Sequence, residues 1–182
     1  MIKLIIPPLL FPYFLAWRSG NYTEAALLSL LVLLVLCHKG LMSKFVIDWS
    51  VACGFMLIVL ASLAQPSFFS LPYTKPLIYG LLATAGWCSY CIGRPFTLQY
   101  AKQEADPAHW GTPVFLSINK HITLVWNIVF SCNFGLSILS IEFFDYWPIF
   151  LLMSYFTILC AVVFTEKYPD FYLASGERNR AV

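Results

Sequence analysis

Cys88-Ser-Tyr-Cys91 is the first spacing in this sequence that could do chemistry, because two thiols three residues apart let one thiolate attack and the other resolve in disulfide exchange. The motif is weak alone. It stands near the end of an apolar run, where a helix C-terminus disfavours a thiolate, and no thioredoxin-like βαβ pattern surrounds it. Cys88 and Cys91 are therefore kept as an alternative redox pair. Two further ligands at metal spacing are missing, so no metal site is expected. Asp48 opens another apolar run beside Trp49. A carboxylate in a bilayer is costly and marks function by default, which makes Asp48 an alternative ion-handling residue. A first-turn acid favoured by the helix dipole, four residues from Lys44, accounts for it structurally. His38, His109 and His121 form no zinc-hydrolase spacing, and no phosphate loop, nucleophile elbow or catalytic carboxylate pair is present. No catalytic residue and no cofactor is assigned.

The strongest polar pattern is a stripe. Asn119, Thr123, Asn127 and Ser137, with Trp126 and Phe130, fall within a sector of about 100° on one helix, and Asn133 lies at its margin. Such a stripe must face other helices or water. Two accounts are open: hydrogen bonding between helices, or a polar pocket opening toward Arg94, Lys102 and Lys120. In the second account these cations stand where an anionic lipid headgroup would sit. The candidate binding residues at this mouth are Arg94, Gln99, Tyr100, Lys102, Trp110, Asn119 and Lys120, with Trp126 and Asn127 deeper.

These residues need elements to place them. Of 182 residues 60% are hydrophobic and 11% charged, and the mean hydropathy is +0.75, so an all-α integral membrane protein of one domain is expected. A formal charge of +2 gives no reason to expect nucleic acid. Six cysteines in or beside apolar runs read as small hydrophobes, not a disulfide framework. Six apolar runs suggest about six membrane helices: Leu4 to Trp17, Tyr22 to Cys37, Phe45 to Ala64, Leu77 to Ile92, Ile122 to Ile141 and Trp147 to Phe164. The first, broken by Pro7, Pro8 and Pro12, reads as a retained helix, and Asn21 to Glu24 as a capping box for the second. Residues 65–76, with three prolines, read as an outer loop.

The fourth run is rich in small residues, with Ala83, Gly86 and Gly93 along one side, so a neighbouring helix can approach closely. Between the fourth and fifth runs, Pro95 to Glu104 predicts a short interfacial helix whose Phe96 and Tyr100 face the bilayer. Thr112-Pro113 can cap a helix start that reaches Asn119. After Pro169 a short tail is expected to be mobile from Gly176 onward. With a cytoplasmic N-terminus, nine of the eleven cations lie inside, leaving Arg18 and Lys75 outside. Both termini are expected to be cytoplasmic.

The second half resembles the bacterial intracellular septation protein A family. The resemblance runs through Lys75-Pro-Leu-Ile-Tyr-Gly-Leu-Leu-Ala, Arg94-Pro95, Trp110, Asn119, Trp126, Trp147-Pro-Ile-Phe150 and Tyr168-Pro169, covering roughly residues 75–170. The first 70 residues share only hydrophobicity with that family, and Cys88-Ser-Tyr-Cys91 departs from its pattern. The resemblance implies a multi-pass protein of the bacterial inner membrane, serving cell-envelope maintenance and cell division through partners, with no catalytic residues to carry over. The expected function is binding of membrane lipids, with anionic headgroups favoured, or of envelope or division proteins. Homo-oligomerisation is compatible with this reading. The alternatives are a small-solute or ion transporter or channel using Asp48 and the stripe, and a membrane-embedded thiol redox enzyme.

Overall fold

The computed structural model describes residues 22–64 and 73–178, and within them every regular element is a helix. The first apolar run, the Asn21 cap, the loop at 65–72 and the last four residues lie outside the described residues. Seven α-helices follow in order: α1 (Tyr22–Leu36), α2 (His38–Met42), α3 (Val46–Ala64), α4 (Thr74–Cys91), α5 (Thr97–Glu104), α6 (Pro113–Glu142) and α7 (Trp147–Arg178). Short 3-10 turns precede α6 and α7, at Pro107–His109 and Phe144–Tyr146.

The long helices pack as a row, α1 on α3, α3 on α4, α4 on α6 and α6 on α7. Small residues set the closest approaches. Gly54 of α3 leaves room for Ile78 and Leu81, and Gly86 of α4 lies so close to Asn127 of α6 that a Cβ would meet its Oδ1. Of the small-residue side expected of the fourth run, Gly86 thus lies on a helix seam, whereas Gly93 stands in the turn beyond the helix, where a Cβ would meet nothing. Phe55, Ile58, Phe96, Ile122 and Trp126 fill the core along the row.

Among the described residues, three stretches are long and apolar enough to cross a membrane: Val46–Ala64, Pro113–Glu142 and Phe144–Ala174. Helix α1 is apolar but shorter, and α4, with 18 residues, carries more polar side chains. Large apolar side chains stand exposed along the row, most of all on α7, where Leu152, Phe156 and Leu159 face outward. In a soluble protein so much exposed apolar surface would drive aggregation, whereas lipid tails cover it without cost.

Two helices run beyond their apolar cores. Helix α6 has 30 residues and α7 has 32, about 45 Å each at 1.5 Å per residue, against about 30 Å of hydrocarbon. Helix α6 starts where the sequence suggests: Thr112 Oγ1 accepts from the Phe115 N–H at 3.3 Å, and Pro113 follows in the first turn. Helix α7 continues through Pro169 to Arg178, which corrects the expected end near Phe164. Its extension lies on the start of α6, where Tyr168 Oη pairs with His121 Nδ1 at 2.8 Å and Tyr172 Oη donates to Ser117 Oγ at 3.1 Å. That side-by-side packing compensates for the hydrogen bond proline cannot make.

Candidate functional site

At one end of the row, two helix ends are turned by the same device. After α4, the Arg94 N–H reaches the Ser89 carbonyl and the Gly93 N–H reaches the Tyr90 carbonyl, both at 3.0 Å. This is a Schellman turn, and Gly93 takes the left-handed conformation it requires, with φ of 75°. After α2 the same pair of bonds joins Phe45 to Gly40 and Lys44 to Leu41, with Lys44 left-handed at φ of 57°. The two turns send α3 and α5 off next to each other.

Helix α5 is therefore held by protein, and Phe96 and Tyr100 do not lie on the bilayer as the sequence suggests. Phe96 is 1% exposed and stacks on Phe130. Tyr100 sets its ring edge-on to Phe45 and donates its hydroxyl to Asp48 Oδ1 at 2.6 Å. The Gln99 Oε1 accepts from the Val46 N–H at 3.1 Å, so a side chain from a distant helix satisfies a first-turn donor of α3. The reason is the tight turn after α4, which folds the amphipathic face of α5 back onto α3 and α6.

Asp48 is 3% exposed, and its other carboxylate oxygen lies against Gly40, where a Cβ would overlap it. Its partner is the phenol of Tyr100, not Lys44. Burial, and then the neighbouring carboxylate, push the Tyr100 hydroxyl above its usual range, so it stays protonated and remains a donor. Gln99, Tyr100 and Asp48 thus form one clamp between α3 and α5. Nothing in the spacing of these residues pairs them, since the partners are 52 residues apart.

The stripe on α6 is closed over by neighbours. Thr97 donates to the Asn119 carbonyl at 2.8 Å or shares a proton with Thr123 at 2.7 Å, and Asn119 Nδ2 bonds back to the Phe115 carbonyl. Trp126 Nε1 donates to Thr165 on α7 at 2.9 Å. Asn133 Nδ2 donates to both Val129 O and Thr157 Oγ1, which fixes its amide orientation and leaves its Oδ1 without a partner. These bonds are the interhelical account of the stripe. Asn127 is the exception: it is fully buried and neither amide atom has a partner.

The cations stand apart from these buried groups. Arg94, Lys102 and Lys120 are all exposed. Lys102 lies 5.3 Å from the Trp110 ring centre and Lys120 lies 5.7 Å from that of Tyr90, both within cation–π range. Trp110 is itself fixed, donating Nε1 to the Ala105 carbonyl at 3.1 Å. None of the three makes an ion pair among the described residues. The expected mouth therefore separates into a buried floor of Asn119, Trp126 and Asn127, a clamp of Gln99 and Tyr100 on Asp48, and a cationic rim. Tyr90 joins that rim; its only signal in the sequence is its place one turn before Arg94.

Cys88 and Cys91 sit in the last turn of α4 as exposed free thiols. Residues three apart on a helix hold their Cβ atoms about 5–6 Å apart, more than the roughly 3.5–4.5 Å a disulfide spans. Joining them would require the helix end to unwind. No group of three or more acids, histidines and cysteines able to hold a metal occurs among the described residues. No protein-family model matches this chain, and comparison with curated proteins and with solved structures finds no match.

Proposed function

We propose that this chain is a multi-pass protein of the bacterial inner membrane that binds anionic lipid headgroups at its cytoplasmic end, in the service of envelope maintenance or septation. In this reading the chain crosses six times and both termini are cytoplasmic, as the cation distribution favours. The observation that carries it is the rim: Arg94, Lys102 and Lys120 have no carboxylate partner among the described residues, and two of them rest on aromatic faces. Unpaired cations over aromatic rings at a membrane surface suit phosphate groups, because the rings hold the side chains in place without neutralising them. Division or envelope proteins would be engaged through this lipid-loaded end.

The test is native mass spectrometry of protein extracted gently from membranes containing phosphatidylglycerol and cardiolipin. At about 1 kcal/mol per cation, Arg94→Ala/Lys102→Ala/Lys120→Ala should lower retention of anionic lipid about a hundredfold. Undiminished retention in the triple variant would sink the reading. One observation favours a second reading, ion or proton transport: Asp48 is buried in a membrane-length helix with a neutral partner. Flux into proteoliposomes that Asp48→Asn abolishes would establish that reading instead.

A further inference from the structure

A small pocket stands at the opposite end of the row from the cationic rim, with the 18 residues of α4, about 27 Å at 1.5 Å per residue, between the two. It lies among the first turn of α4, the last turns of α6 and the first turns of α7. Its volume is about 30 Å³, close to the share that one water takes in the liquid, and too small for a phosphate group. Its occupant is therefore a water or two, or a single monatomic ion.

The free polar groups around this pocket are donors. Lys75 and the Trp147 indole can only donate, and neither has an acceptor among the described residues. The Ser154 hydroxyl also makes no hydrogen bond among them. On the α6 side, the Ser137 hydroxyl donates to the Phe134 carbonyl at 2.7 Å and that of Ser140 to the Ser137 carbonyl at 2.8 Å. Rotation about one bond turns either hydroxyl toward a ligand. Lys75 and Trp147 are exposed, whereas Ser137 is 4% exposed, so the pocket opens beside the ammonium and ends on a hydroxyl.

Charge then selects the occupant. Three helices bring donors to one cavity, and among the described residues no carboxylate lines it. Phe150 and Leu151 form an apolar side, where the ammonium loses part of its hydration. Water in the pocket would hydrogen-bond the ammonium without neutralising it. An anion does both, through charge-assisted bonds that are shorter and stronger than neutral ones. The same ammonium repels a cation, and the volume shuts out polyatomic anions.

We propose that this pocket binds one monatomic anion of the chloride class, with Lys75, Trp147, Ser154 and Ser137 as its donors. The ion bridges α4 and α7, which are not neighbours in the row because α6 lies between them. The site does not depend on what the rim binds.

The test uses the full chain in a neutral detergent, titrated with bromide while gluconate holds the ionic strength constant. Bromide quenches indole fluorescence on contact, so Trp147 reports on its own site. Wild type should show a saturable component of quenching that chloride displaces. Trp147→Phe should remove that component. The rim variant Arg94→Ala/Lys102→Ala/Lys120→Ala should keep it, which separates this site from Trp110 and the cation beside it. Lys75→Ala should weaken the apparent affinity about fivefold, as one interfacial cation does for an anionic headgroup. Because Trp147 is both reporter and donor, thermal unfolding supplies a second measurement. Chloride in place of gluconate should raise the unfolding temperature of wild type and of the rim variant, and leave that of Lys75→Ala/Ser154→Ala unshifted. Quenching that rises without saturation in wild type would assign the pocket to water and overturn the proposal. Equal bromide affinity in wild type and Lys75→Ala would overturn it too, as would displacement of bromide by equimolar inorganic phosphate, which would make this a site for polyatomic anions.

Discussion

Asn127 and Gly86 meet at a tight seam between α4 and α6, and the contact has two opposed costs. The glycine lets the helices close, while the amide is sealed away from every donor and acceptor. A buried polar group left unsatisfied costs about 1–3 kcal/mol. Gly86→Ala should therefore destabilise by about 1–3 kcal/mol through overpacking, and Asn127→Ala in the same chain should recover most of that loss. Thermal unfolding in detergent of the two single variants and the double variant measures the coupling; additive effects would mean the seam is not shared. The small-residue spacing that makes this seam is legible in the sequence. What Gly86 faces is not, because the matching residue lies on a different helix and is set by the register of α4 on α6. The same limit hides the bond between Tyr100 and Asp48: each residue is a visible candidate, and only the turn at Gly93 brings them together.

Helix boundaries show where sequence reasoning holds and where tertiary packing overrides it. The cap at Thr112 is chemical and local, so the start of α6 is readable from Thr-Pro alone. The end of α7 is not, since Pro169 and the charged residues around it argue for a stop that the neighbouring helix cancels. If Tyr168 and Tyr172 hold that extension to α6, Tyr168→Phe/Tyr172→Phe should release it. Hydrogen exchange should then speed up across the last turns of α7 and remain unchanged from Trp147 to Phe164. Faster exchange throughout α7 would instead mean that the two hydroxyls support the whole helix.

At the scale of the molecule, the membrane character follows from composition, whereas the number and direction of crossings does not, because among the described residues three stretches meet the length and hydropathy of a span. The row packing makes a clear prediction of sidedness under the proposed topology. Single cysteines placed at Lys44 and Asp106, in a chain whose native cysteines are serines, should be blocked only by reagents that enter the cytoplasm. Cysteines at Tyr73 and Asp145 should be blocked from outside. Labelling of all four from one side would refute the six-crossing arrangement. The loose packing of α7 has one more consequence. Ala161 is 1% exposed against α6, while Leu152, at 71%, and Phe156, at 64%, meet only the surrounding medium. A fluid neighbour adapts to any apolar shape and a helix does not, so substitutions on the two sides of α7 should differ in cost. The outward side can exchange one apolar residue for another with little change, while Ala161, pressed against the helix row, has no room for a larger side chain.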